Sequence, residues 1–127
     1  MDYKILIVDD SKLARMSVAK VLNALHPDWT RVEASNADEA LALAASDRPD
    51  IVLLDFNMPG RDGLTLAAEL RALHPNMPLA VVSANIQEEI IARSHEVGAA
   101  FLSKPLTAQG LADFLTGAQA RLKATAT

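Results

Sequence analysis

Apolar positions along the chain fall into two alternating patterns. Short dense runs occur at Lys4–Val8 (KILIV), residues 51–54 (IVLL), Leu79–Ser83 (LAVVS) and residues 100–102 (AFL). Near-continuous β-branched and leucine runs suit strands buried on both faces of a parallel sheet. Thr30–Ala34 (TRVEA) alternates more strongly and predicts an edge strand. Between the runs lie stripes at helical spacing: Ala14, Val18, Val21, Leu22 and Leu25, then Ala37, Ala40, Leu41, Ala44 and Ala45. Leu66, Leu70 and Leu73 mark a third helix, and Leu111, Phe114, Leu115, Ala118 and Leu122 the last. Residues 87–97 carry only Ile90, Ile91 and Val97, a thin apolar face that predicts a loosely held helix or one reserved for a partner.

The helix ends are marked by their own chemistry. Asn36 with Glu39 three residues on predicts a capping-box-like start. Leu25-His26-Pro27 and Leu73-His74-Pro75 each place a histidine at a helix end and a proline that cannot continue it. Gly98 predicts the end of the fourth helix. The order is (βα)5, which specifies an α/β, doubly wound, three-layer sandwich around a parallel sheet. We expect one domain over residues 1–122, with the Ala/Thr-rich residues 123–127 as a frayed tail, no second domain and no internal repeat.

Composition narrows the function. The 127 residues are half apolar and 22% charged, a globular balance long enough for a real core. A net charge of −4 with no cluster of Lys and Arg argues against direct DNA binding. The absence of cysteine removes disulfides and thiolate metal sites. No signal-peptide pattern and no membrane-length apolar run is present, so a cytoplasmic protein is expected.

In open α/β sheets ligands bind beyond the carboxyl ends of the strands. Asp9 and Asp10 follow the first strand, Asp55 ends the third, Ser83 ends the fourth and Lys104 follows the fifth. In the common strand order 2-1-3-4-5, strands one and three lie roughly 4.8 Å apart, which brings the three acids together. Each close carboxylate pair would cost on the order of 4 kcal/mol. A hard divalent cation would relieve this, and Mg²⁺ fits an all-oxygen donor set best. Any one of these residues could merely cap a helix or serve a loop. Their joint placement at one sheet edge exceeds what capping requires. An aspartate is ionised at neutral pH and can attack phosphorus without a base. Mg²⁺, the Lys104 ammonium and the Ser83 hydroxyl could each take one phosphoryl oxygen.

At these residues the chain resembles the receiver domain of two-component response regulators, of the single-domain chemotaxis-regulator type with a flavodoxin-like fold. The matching pieces are the acidic pair in ILIVDDS, the block LLDFNMPGRDG, the VVSAN stretch and FLSKP, and the likeness runs from Tyr3 to about Leu122. The resemblance implies that Asp55 is the phosphoacceptor. It implies Mg²⁺ bound by Asp10, Asp55 and the backbone carbonyl of Asn57, with Asp9 assisting. Lys104 would contact the phosphoryl group, and Pro105 would follow a cis peptide bond that places it. Met58, Pro59 and Gly63 would shape the loop after the acceptor, although Pro and Gly punctuate most loops. Ser83 and Phe101 would form a switch pair; read from the residues alone, Phe101 is a plain core aromatic. Asn57 and Asn85 stand where the family tunes dephosphorylation.

The resemblance further implies a stand-alone phosphoacceptor switch rather than an enzyme in the ordinary sense. Its partners would be a sensor histidine kinase or a histidine phosphotransfer protein. A protein effector would read the surface of the fourth helix, fifth strand and fifth helix, about residues 87–122. The molecule would be a monomer or a phosphorylation-dependent dimer. Two departures stand out: Ser83 where threonine is frequent, and Phe101 where tyrosine is frequent, which keeps the steric swing but loses a hydroxyl. A phosphohydrolase using the same nucleophile would need an acid two residues on, where this chain has Asn57. A flavin binder would need a hydroxyl-rich phosphate loop where Asp9 and Asp10 stand. A phosphorylation-independent interaction module would be expected to have lost an acid or the lysine. His26, His74 and His95 are expected to be structural, because the phospho-histidine belongs to a partner.

Overall fold

The computed structural model describes residues 2–58 and 62–126. Five strands alternate with five helices: β1 (Lys4–Val8), α1 (Lys12–Leu25), β2 (Thr30–Ala34), α2 (Ala37–Ser46), β3 (Ile51–Asp55), α3 (Gly63–Leu73), β4 (Leu79–Ser83), α4 (Glu88–Glu96), β5 (Ala100–Ser103) and α5 (Ala108–Ala126). All strand pairings are parallel, in the order β2-β1-β3-β4-β5. This is the doubly wound, flavodoxin-like sheet that the apolar pattern predicts, with TRVEA on an edge.

The dense apolar runs have a simple cause. Side chains alternate faces along a strand, and both faces of the central strands are covered. Leu6, Val8, Val52, Leu54, Leu79 and Val81 pack into one core with α2 and α3. Ile5, Ile7, Ile51, Leu53 and Ala80 pack into a second core with residues of α1 and α5. Their side chains are almost completely buried, so each run must be apolar throughout. Burial at about 25 cal/mol per Å² makes these two layers the main source of stability.

The helix boundaries follow their caps. Ser11 Oγ accepts from the Ala14 amide to start α1, and Asn36 Oδ1 accepts from the Glu39 amide to start α2. Glu39 reaches back to the Ser35 amide, one residue before the reciprocal partner of a capping box. α1 and α3 end at Leu25 and Leu73, with His26 and His74 as C-caps ahead of their prolines. Gly98 takes φ 72°, which a side chain would strain, just after α4. The weak stripe of α4 also has a local reason. Its buried face is Ile90 and Ser94, and the Ser94 hydroxyl donates to the Ile90 carbonyl at 2.8 Å, so a polar residue fills an apolar position. α5 runs to Ala126, so the segment expected to fray continues the helix for four residues past Leu122. Alanine and lysine are strong helix formers, and that propensity outweighs the threonines there.

Candidate functional site

The carboxyl ends of the strands converge on one acidic pocket. β1 pairs with β3 in register Val8↔Leu54, so the residues that follow, Asp9 and Asp10, meet the end of β3 at Asp55. One oxygen from each of the three carboxylates lies within 4.8 Å of the others. Asp9 and Asp55 are buried while Asp10 is exposed, so the pocket is an open-mouthed niche. Lys104 enters from the end of β5. Its Nζ lies 2.9 Å from Asp55 Oδ1 and 3.6 Å from Asp9 Oδ2. The shorter contact is an ion pair to a buried carboxylate oxygen that has no further partner among the described residues. A buried, under-satisfied carboxylate oxygen is costly, and a ligand or ion that meets it recovers that cost.

Electrostatics point the same way. Burial pushes the Asp55 carboxyl above the ordinary aspartate range; Lys104 opposes this, Asp9 adds to it and an Asn57 amide opposes it. Burial draws the Lys104 ammonium down, yet Asp55 and Asp9 outweigh it and hold its pKa above the usual lysine value. Three acids and one lysine leave an excess of negative charge. The donors are all oxygens, so the group that fits is a hard cation such as Mg²⁺. The residues present fit that ion.

The supporting structure is specific. The Asp9 carboxylate accepts from the Ser11 amide at 2.9 Å, and the Asp9 carbonyl accepts from Arg15 at 2.6 Å. Arg15 also pairs with Glu33 at 2.9 Å, tying α1 to β2. Gly63 sits against the end of β3: a Cβ there would lie 2.7 Å from the Asp55 carbonyl oxygen and from Phe56 Cα. Only glycine lets α3 begin so close to the acceptor strand. Met58 is half-buried against the neighbouring core, and Pro59 lies outside the described residues. The Lys104–Pro105 peptide bond is cis.

Ser83 is fully buried at the end of β4, and its Oγ accepts from the Asn85 amide at 3.0 Å. Phe101 stands beside Val81 across the β4–β5 ladder, is half-buried and belongs to neither apolar core. Asn57 and Asn85 are both exposed near the mouth of the pocket. The histidines stand apart: His26 stacks on Trp29 with centroids 3.9 Å apart, and His74 Nε2 lies 2.8 Å from the Ala44 carbonyl.

Sequence reasoning did not single out Arg15 or the steric role of Gly63. Arg15 recurs one helical turn after Ser11, which is a signal, but its partners on other elements are set only by the fold.

The family model for the response regulator receiver domain matches residues 5–116. The chain is 43% identical over 115 residues to the positive alginate biosynthesis regulatory protein of Pseudomonas aeruginosa, covering 87% of this chain and 45% of that protein. It is 33% identical over 99 residues to sporulation initiation phosphotransferase F of Bacillus subtilis, covering 78% of each. It spans under half the length of the alginate regulator and of a glycerol metabolism activator from Pseudomonas putida. Among solved structures, the chemotaxis protein CheY4 of Vibrio cholerae superposes with a TM-score of 0.83 at 27% identity, covering 93% of this chain and 99% of that one.

Proposed function

The chain belongs to the family of response regulator receiver domains, modules of two-component signalling that carry an aspartate phosphorylation site, and from that premise we propose that Asp55 accepts the phosphoryl group in a Mg²⁺-dependent switch. The observation that carries this reading is the buried Asp55 carboxylate, with two further acids within reach and the Lys104 ammonium 2.9 Å from its Oδ1. Asp10, Asp55 and the Asn57 carbonyl would hold Mg²⁺, with Asp9 assisting. When bound, the ion supplies positive charge for the phosphoryl oxygens. The donor is a phospho-histidine on a sensor kinase or a histidine phosphotransfer protein. An Asp55 oxygen forms the new bond to phosphorus as the P–N bond breaks, and the imidazole leaves with the electron pair. Lys104 neutralises a phosphoryl oxygen. The name of the Bacillus relative, a phosphotransferase, supports a place in a relay.

The output follows from Ser83 and Phe101. Phosphorylation adds about −1.5 to −2 charges. The Ser83 hydroxyl leaves the Asn85 amide for the phosphoryl group, and Phe101 rotates toward the space vacated. The half-buried position of Phe101 outside both cores supports such a movement. The surface of α4, β5 and α5 then changes and is read by a protein effector, in a monomer or a phosphorylation-dependent dimer. Asn57 and Asn85, exposed at the mouth, tune hydrolysis. The reading carries a cytoplasmic location, as is typical of receiver domains; no helix among the described residues is long and apolar enough to cross a membrane.

Transfer of label from a phosphorylated histidine phosphotransfer protein tests this. With Mg²⁺ present we expect label on the wild type, none on Asp55→Asn, and labelling about 100-fold slower on Lys104→Ala, the size of a lost charge-stabilising donor. Undiminished labelling of Asp55→Asn would refute the assignment.

A further inference from the structure

Behind the acidic niche, and sharing Asp9, Asp55 and Lys104 with it, lies an apolar space that the phosphoryl chemistry leaves unused. A cavity of about 500 Å³ extends from Asp9, Asp55 and Lys104 beneath α1. Its far walls are apolar: Ala14, Val18 and Val21 from α1, Leu53 from β3, and Pro105 and Leu106 from the loop after β5. In α1 only Leu22 is fully buried, while Val18, Ala19, Val21 and Leu25 are partly buried against the core. Volumes of roughly 300–1,000 Å³ with apolar walls and a few convergent polar groups are typical of small-molecule sites. The charged groups are at one end: two carboxylates, Asp9 and Asp55, against the single Lys104 ammonium, which lies 2.9 Å from Asp55 Oδ1 and leaves a net negative charge.

We infer that this cavity binds an organic cation with an apolar tail, the tail beneath α1 and the cationic head against Asp9 and Asp55. The two halves of the site set the ligand class independently. The walls select an alkyl or aryl body, because each buried methylene contributes about 0.8 kcal/mol. The niche selects positive charge and rejects an anionic head. The head would occupy the place of the divalent ion, so ligand and Mg²⁺ exclude one another. Such a ligand would hold the switch unphosphorylated. That consequence rests on Asp55 being the phosphoacceptor; the binding itself does not.

Calorimetric titration of the full chain with decylamine, below its aggregation concentration, is the test. Decanol provides the tail without the charge, and butylamine the charge with a short tail. We expect decylamine to bind, decanol to bind about tenfold more weakly, and butylamine, six methylenes shorter, at least about 1,000-fold more weakly. Mg²⁺ should raise the apparent Kd of decylamine competitively. Val18→Phe and Ala14→Leu fill the cavity without touching the acids. Both should lose decylamine and keep Mg²⁺ binding, which also reports that they fold. Equal affinity for decylamine and decanol, decylamine binding indifferent to Mg²⁺ in a chain shown to bind Mg²⁺, or unchanged binding by both variants would overturn the inference. A chain that took decylamine but no Mg²⁺ would keep the cavity assignment and sink the phosphoacceptor reading. Mg²⁺ binding without decylamine would do the reverse.

Discussion

The two ends of the sheet treat charge in opposite ways. At the carboxyl ends, Asp55 is buried beside two other acids with the single Lys104 ammonium against them. At the amino ends of β4 and β5, Arg71 is ringed by backbone carbonyls. Its Nε donates to the Val97 carbonyl at 3.0 Å, NH1 to those of His74, Pro75 and Met77, and NH2 to that of Gly98 at 2.8 Å. One guanidinium thus ties the turn before β4 to the turn before β5. Burial, with Arg121 nearby, draws its pKa below the ordinary guanidinium value, and it stays a cation. A fixed fork of donors suits carbonyls that no strand or helix can satisfy. The difference teaches where each kind of charge sits: a cation met by carbonyls ties the frame together, and the excess negative charge gathers in the niche.

The contrast breaks most readily at Arg71. Arg71→Met takes its donor from five carbonyls, of which that of His74 still accepts from the Met77 amide, and we expect about 3–4 kcal/mol of lost stability in urea unfolding. Mg²⁺ affinity should stay within about threefold, because the acids are at the opposite end. A variant as stable as the wild type would remove the amino end from the account. Gly63→Ala comes next. Its Cβ would meet backbone at 2.7 Å, so the acceptor loop must shift, costing about 2 kcal/mol and weakening Mg²⁺ binding together. Unchanged values for both would show that α3 yields freely.

The smallest effect has the opposite sign. Burial raises the Asp55 pKa in the folded protein, so the folded state holds that proton more tightly than the unfolded chain. The resulting stability is fully present below the unfolded carboxyl value of about 3.9 and is lost as pH rises through the raised folded value. In a chelator at neutral pH, Asp55→Asn should therefore be more stable than the wild type by about 1 kcal/mol, with the gap closing toward acid pH. A less stable Asp55→Asn would mean that Lys104 already satisfies the carboxylate.

Much of this was readable from the chain, for a definite reason. Strands covered on both faces must be apolar throughout, and helices covered on one face carry stripes, so KILIV, IVLL and LAVVS announce themselves. The acids and Lys104 follow strands whose order brings their ends together, so their meeting could be expected. What could not be read depends on distant pairings. Arg71 meets Gly98 across 27 residues, and Arg15 meets Glu33 across 18. Gly63 reads as turn chemistry until β3 is set against α3. The seating depth of α1, and hence the cavity beneath it, leaves no mark in a periodic pattern. Ser94 hides its burial by satisfying its hydroxyl within its own helix.

The most direct test of the central claim is to phosphorylate the chain with Mg²⁺ and a small acyl-phosphate donor, reduce the product with borohydride, and map peptides by mass spectrometry. The account predicts homoserine at position 55 and nowhere else, and none without Mg²⁺. Homoserine at position 9 or 10, or an aspartate at 55 untouched in a protein shown to carry the phosphoryl group, would contradict it.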